Sequence, residues 1–280
     1  ANNIEKHPDF IKIEKLAFEK FGLAAMSHRH GVFGMQQPLP PIVKYGLTFL
    51  FVQSEFGLCC PLSMTDSLTR TLKKFGDKKL IDKFFDQLTS QDLDHLFQGA
   101  MFMTEQHAGS DVGSIDTLAE FEDGNWFLTG DKWFCSNPDA DLAMVLARHD
   151  KKINGTKGLA LFLLPKTLEN GDPNNYEIIR LKDKLGGRSF ASGEIRLNRA
   201  FAYIVGNPNE GFKQMTDMIN MSRLSNGVRA SGMMQRCFQE SLFISNTRHA
   251  FNKKLIDLPL MQKQLLKMLV ITEASRSIIF

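Results

Sequence analysis

The chain has 280 residues, 43% hydrophobic and 23% charged, enough for one large domain or two to three smaller ones, and this composition excludes disorder and collagen-like repeats. No apolar run reaches the roughly 18 to 20 uncharged residues that cross a bilayer, and the opening ANNIEKHPDF is no secretory leader, so a soluble, cytoplasmic protein without membrane insertion is expected. Thirty-four Lys and Arg against thirty-one Asp and Glu leave a net charge of +3, too balanced to imply a nucleic-acid partner.

From Ile4 to Leu96 apolar residues recur every three to four positions, as in FIKIEKLAFEKFGLAAM and TDSLTRTLKKFGDKKLIDKFFDQL, which predicts four to five helices. Thr65 and Asp66 read as helix caps and Gly76 as a helix end. Near Gly99 the period changes. TLAEFEDGNWFLTGDKWF carries Asp123-Gly124 between β-rich flanks, a hairpin signal, and LAMVLARHD, GLALFLLP, YEIIRLKD and GEIRLNRAFAYIV read as further strands. After Gly206 the helical period returns in one or two long helices, with another beginning near Leu260. The expected class is α+β: an N-terminal helical domain over 1–98, a middle antiparallel β-barrel-like domain over 99–206 and a C-terminal helical bundle over 207–280. The chain lacks an initial Met and stops inside LLKMLVITEASRSIIF, so the bundle is expected to be truncated.

There is no G-x-G-x-x-G after a strand, no P-loop, no H-E-x-x-H, no C-x-x-C and no G-x-S-x-G, and the histidines lack metal-ligand spacing. Cys59, Cys60, Cys135 and Cys237 read as reduced packing residues. Two stretches carry chemistry. In MFMTEQHAGSDVGS, residues 101–114, Thr104 and Ser110 offer hydroxyls while Gly109 and Gly113 allow close backbone approach; a cofactor loop and a capped polar turn both fit. In GDKWFCSN, residues 130–137, strand alternation puts Phe134 and Ser136 on one face, which suits a flat heterocycle or an ordinary buried strand.

Together, M-T-E-x-x-A-G-S-D and K-W-F-x-S-N resemble the flavin-binding half of the acyl-CoA dehydrogenase family. KLGGRSFASGEI, MSRLSNGVRASG and TRHAFNKKLIDLPLMQ follow in that family's order, and FVQSEFGLCCPLSMT matches in the helical part. The wording is most similar to the branch containing the adaptive-response alkylation protein. The resemblance implies an FAD-dependent oxidoreductase that removes a proton from the α-carbon of an acyl-CoA thioester while hydride leaves the β-carbon for flavin N5. It also implies a homodimer or homotetramer and an electron-transfer partner.

Carried over residue by residue, the resemblance assigns the backbone at Met101 and Met103, with Thr104, to the flavin pyrimidine edge. It assigns Ser110 to the FAD phosphate or the acyl-CoA, Phe134 and the neighbouring Cys135 to the strand beside the isoalloxazine, and Ser136 to N5. Arg248 and Phe251, an R-x-x-F pair, would reach FAD on a neighbouring subunit, and a planar guanidinium suits a pyrophosphate. Arg223 is the implied substrate contact, and pairing with a phosphate and anchoring the bundle both fit it. Three positions depart from the pattern: Ser222 stands where a minority of the family has a Glu base, Pro259 where a Gln contacts FAD, and Asn220 where an Asp is frequent. No catalytic base is therefore named within the chain. The alternatives are an alkylation-response-type flavoprotein that binds nucleic acid through Lys253, Lys254, Lys263, Lys267 and Arg276, or a flavin-binding scaffold whose chemistry has decayed.

Overall fold

The computed structural model describes residues 3–280. Helix α1 (Pro8–Glu14) runs into a wider π-turn at Lys15–Lys20, followed by α2 (Pro41–Val52), α3 (Cys59–Phe75) and α4 (Lys78–Leu88). Helix α3 is central and almost wholly buried although its sequence, CCPLSMTDSLTRTLKKF, is rich in hydroxyls. The hydroxyls satisfy themselves by bonding one turn back: Thr65 donates to the Pro61 carbonyl at 2.9 Å, Thr69 to Thr65 at 2.7 Å and Thr71 to Ser67 at 2.8 Å. Its start is held by Glu55, whose carboxylate accepts from the N–H groups of Gly57 at 2.8 Å and Leu58 at 2.6 Å, and Gly76 closes its end.

Thr65 and Asp66 are not caps. Both lie inside α3, where Asp66 is buried and binds His28 Nε2 at 2.8 Å and Lys44 Nζ at 2.6 Å. Caps form elsewhere, as at Asp77, which accepts the Leu80 N–H at 2.7 Å to open α4.

The middle region is a seven-stranded sheet: β1 (Gly99–Phe102), β2 (Leu118–Glu122), β3 (Asn125–Ser136), β4 (Leu142–Arg148), β5 (Leu159–Pro165), β6 (Tyr176–Leu181) and β7 (Ser192–Val205). β3 pairs with β7, β7 with β5, β5 with β4, and β4 with β1, which returns to β3, so the sheet closes into a barrel with β6 on its outside edge. Asp123 and Gly124 take positive φ in the two-residue turn between β2 and β3. The pairing is antiparallel except where β4 meets β1, in register over Gly99–Phe102, and briefly β2; the loop and hairpin between β1 and β4 supply the long crossover a parallel pair needs.

The interior of the barrel is narrow and filled by Phe102, Leu128, Val145 and Phe162 among alanines. Strands β4 and β5 are buried on both faces, which is why they read as unbroken apolar runs: Met144, Leu146, Leu161 and Leu163 turn outward and pack with Met64, Leu68 and Leu72 of α3. After β7 comes α5 (Gly211–Thr247), one helix rather than two, then a small hairpin, β8 (His249–Ala250) and β9 (Lys253–Lys254), and α6 (Pro259–Ile279). Met215 and Met218 anchor the start of α5 on the barrel and α3. Among the described residues, no helix is long and apolar enough to cross a membrane, and no cluster of His, Cys, Asp or Glu could hold a metal.

Candidate active site

The start of β1 is fixed by α3. The Gly99 N–H donates to Thr65 Oγ1 at 2.9 Å, and a Cβ on Gly99 would lie 2.9 Å from the Thr65 Cα, so only glycine lets strand and helix cross so closely. From there Met101 pairs with Ser136 of β3, and Ser136 with Ser192 of β7, forming a row across three strands.

A β-bulge shapes the end of β3. Lys132 faces Ile195 and Cys135 faces Gly193, which leaves one extra residue on β3, and Trp133 and Phe134 both turn away from the barrel interior. The Phe134 ring is 59% exposed, meets Trp133 edge-on at 6.3 Å, and shares with it the ammonium of Lys182, 3.5 Å from the Trp133 ring and 4.6 Å from its own. Cys135 points the other way, into the barrel among Phe102, Leu128 and Ile195, and burial pushes its thiol pKa up. Its side chain is therefore withdrawn from the surface that Phe134 and Ser136 present, and only its backbone remains available there.

The loop after β1 is pinned from inside. Lys132 is fully buried, and its Nζ donates to Glu105 at 2.8 Å, to the Leu146 carbonyl at 2.8 Å and to the Met103 carbonyl at 3.3 Å. Glu105 also accepts from the Asp116 N–H at 2.7 Å, the Thr117 N–H at 3.1 Å and the Thr117 hydroxyl. Burial alone would raise the Glu105 pKa, but the Lys132 charge and these donors outweigh it and hold the carboxyl below its ordinary value. Thr104 sits between the two anchored residues, and its carbonyl accepts the Trp133 N–H at 2.8 Å. Further along, Arg148 binds the carbonyls of Gly113 at 2.6 Å and Ile115 at 3.2 Å, holding the loop's far end.

The structure thus brings together Met101, Met103, Thr104, Phe134 and Ser136, with Ser110 exposed on the same loop. Arg248 and Phe251 stand apart. Arg248 lies just past the end of α5, and Phe251 is 87% exposed at the tip of the β8–β9 hairpin, where it and Asn252 take positive φ. Arg223 is exposed on α5 and forms no ion pair among the described residues. The pattern of residue types did not single out Glu105, Lys132 or Arg148 as positioning residues. The only available signal was that Glu105 and Lys132 each fall inside one of the two chemistry-bearing motifs.

The chain agrees with known proteins along most of its length. The family model described as acyl-CoA dehydrogenase, middle domain, matches residues 100–200, and that described as acyl-CoA dehydrogenase, C-terminal domain, matches residues 209–280. The chain belongs to the acyl-CoA dehydrogenase family. Acyl-CoA dehydrogenase family member 11 of Caenorhabditis elegans is 35% identical over 97% of this chain and 45% of its own length. The putative acyl-CoA dehydrogenase AidB of Escherichia coli is also 35% identical, over 82% of this chain and 43% of its own. The crystal structure of Caenorhabditis elegans ACDH-11 in complex with C11-CoA superposes with a TM-score of 0.85 at 32% identity, covering 95% of this chain and 46% of that one. The chain therefore spans less than half the length of these relatives.

FAD, the family's cofactor, fits the residues present. An aromatic ring lies open at the strand end, and among the described residues the N–H and hydroxyl of Thr104 have no hydrogen-bond partner. A flat, polar-edged heterocycle would use both.

Proposed function

We propose that the chain forms the flavin-binding part of an FAD-dependent acyl-CoA dehydrogenase acting on an acyl thioester. The carrying observation is the convergence of Thr104, Phe134 and Ser136 on one outer face at the rim of the barrel, with Thr104 locked in place by the Lys132–Glu105 pair behind it. When bound, FAD supplies the acceptor for the hydride that leaves the acyl β-carbon. In this reading the backbone at Met101 and Met103 and the free groups of Thr104 hold the pyrimidine edge. Phe134 lies against the ring system, and the Ser136 hydroxyl orients its N5 side. Ser110 and Arg223 bind the phosphate-bearing part of the acyl-CoA or cofactor.

Arg248 acts across a subunit interface. It lies 30 residues beyond Met218, which packs on the barrel, and at 1.5 Å per residue that is about 45 Å along α5, too far to serve its own chain's site. The proton acceptor is not Glu105, which is withdrawn into the barrel as the partner of Lys132. The basic residues of α6 favour helix packing over a nucleic-acid contact, because exposed Leu266, Val270 and Ile271 interleave with Lys263 and Lys267.

The test is spectroscopic. Full-length protein purified with FAD is expected to be yellow and to bleach anaerobically on addition of an acyl-CoA, and Arg248→Ala is expected to lose FAD. A colourless full-length protein indifferent to added FAD would refute the proposal.

A further inference from the structure

Beside the two aromatics that the β3 bulge turns outward lies a group of charges that the roles above leave unused. In the pairing of β3 with β7, Ile195 faces Lys132 and Gly193 faces Cys135, so Glu194 is the single residue opposite both Trp133 and Phe134. The Glu194 side chain is 8% exposed, and its Oε1 accepts from two cations, Lys182 Nζ at 2.6 Å and Arg180 Nη2 at 2.8 Å. Arg180 of β6 and Lys182, just past the end of that strand, are two residues apart and so share a face.

Lys182 touches the aromatics directly. Its ammonium stands 3.5 Å from the centre of the Trp133 ring and 4.6 Å from that of Phe134, while Arg180 stands 6.0 Å from Trp133. The Lys182 backbone N–H donates to the Ser192 carbonyl at 2.8 Å, which ties it to the row that carries Ser136. One carboxylate serves both cations: among the described residues neither makes another ion pair, whereas the neighbouring Arg196 and Asp131 pair one to one. The cluster therefore carries one net positive charge against the rings. Arg180, 64% exposed, is screened by water, but the Lys182 side chain is only 12% exposed and its field reaches the aromatic face.

We propose that Lys182 is a positioning residue of the flavin site: it holds Trp133 and Phe134 in their outward orientation and, through its charge, favours reduced flavin over oxidised flavin. This rests on the FAD-dependent reading of the site and deepens it. Accepting a hydride leaves the isoalloxazine with one negative charge, and a fixed cation in a water-poor position stabilises charge that develops beside it. Glu194 acts in the other direction, because its carboxylate offsets half of the positive charge that Arg180 and Lys182 bring. The two residues therefore have effects of opposite sign.

The test uses full-length, FAD-loaded protein, with the flavin's midpoint potential measured by anaerobic dye equilibration and FAD affinity by flavin fluorescence. Lys182→Met is expected to weaken FAD binding severalfold and to lower the potential by about 30 mV, the equivalent of a tenfold loss of affinity for reduced relative to oxidised FAD. Lys182→Arg, which keeps the charge, is expected to restore the potential, and Glu194→Gln to raise it. A merely structural role would shift Lys182→Met and Lys182→Arg alike, or leave the potential where it is. An unchanged or higher potential in Lys182→Met overturns the assignment, as does a potential that Lys182→Arg leaves equally low. If Lys182→Met does not fold, an unchanged or lower potential in Glu194→Gln overturns it instead. Full-length protein that takes up no FAD removes both this assignment and the function beneath it, whereas yellow protein whose potential ignores these substitutions removes only the assignment.

Discussion

Replacing Lys132 with Met tests whether the buried ion pair sets the site's geometry. The substitution keeps the length of the side chain and its apolar stem but deletes an ammonium that donates to Glu105, Leu146 and Met103. Glu105, only 3% exposed, would then be a buried carboxylate held by Thr117 and Asp116 alone. Breaking one side of a buried pair costs about 3–5 kcal/mol, a large part of the roughly 5–15 kcal/mol that holds a typical domain folded. Adding Glu105→Gln removes the stranded charge, and the amide oxygen can still accept from the same N–H groups, so the double variant should recover about half the loss. Urea unfolding followed by circular dichroism gives each value, and FAD titration gives the consequence at Thr104. The reasoning fails if Lys132→Met loses less than about 1 kcal/mol, or if the double variant is no more stable than the single one.

A second buried network makes stability depend on acid. Burial alone would raise the Asp66 pKa, but the His28 hydrogen bond and the Lys44 charge outweigh it and hold it below its ordinary value. Its contribution is therefore present above the unfolded carboxylate value of about 3.9 and is lost as pH falls through the lower folded value. The stability gap between wild type and Asp66→Asn should be level near neutrality and close below about pH 4, and a gap that widens in acid would contradict the assignment. Thiol titration of native protein at pH 8 should find Cys237 reacting quickly, because it is exposed. Cys59, pushed by burial up to about 12, together with Cys60 and Cys135, also raised by burial, should wait for denaturant. Phe134→Ala should weaken FAD binding severalfold, the scale of one aromatic contact, without lowering the unfolding temperature, and unchanged affinity by flavin fluorescence would place the ring outside the site.

What the sequence determined by itself was whatever local rules encode. Asp123-Gly124 specified a two-residue turn because both positions need positive φ. LAMVLARHD and GLALFLLP announced strands because short apolar runs bounded by turn residues suit a sheet. Strand alternation placed Phe134 with Ser136, and the ordered motifs carried the family. Only the tertiary structure decided what depends on partners distant along the chain. Lys132 and Glu105 meet across 27 residues, so neither could be told from a surface charge until the barrel closed over them. Thr65 and Asp66 looked like caps because they are good cap residues, but burial of α3 turned them to Gly99 and to His28 and Lys44 instead. The bulge that turns both aromatics outward exists only in the register between β3 and β7.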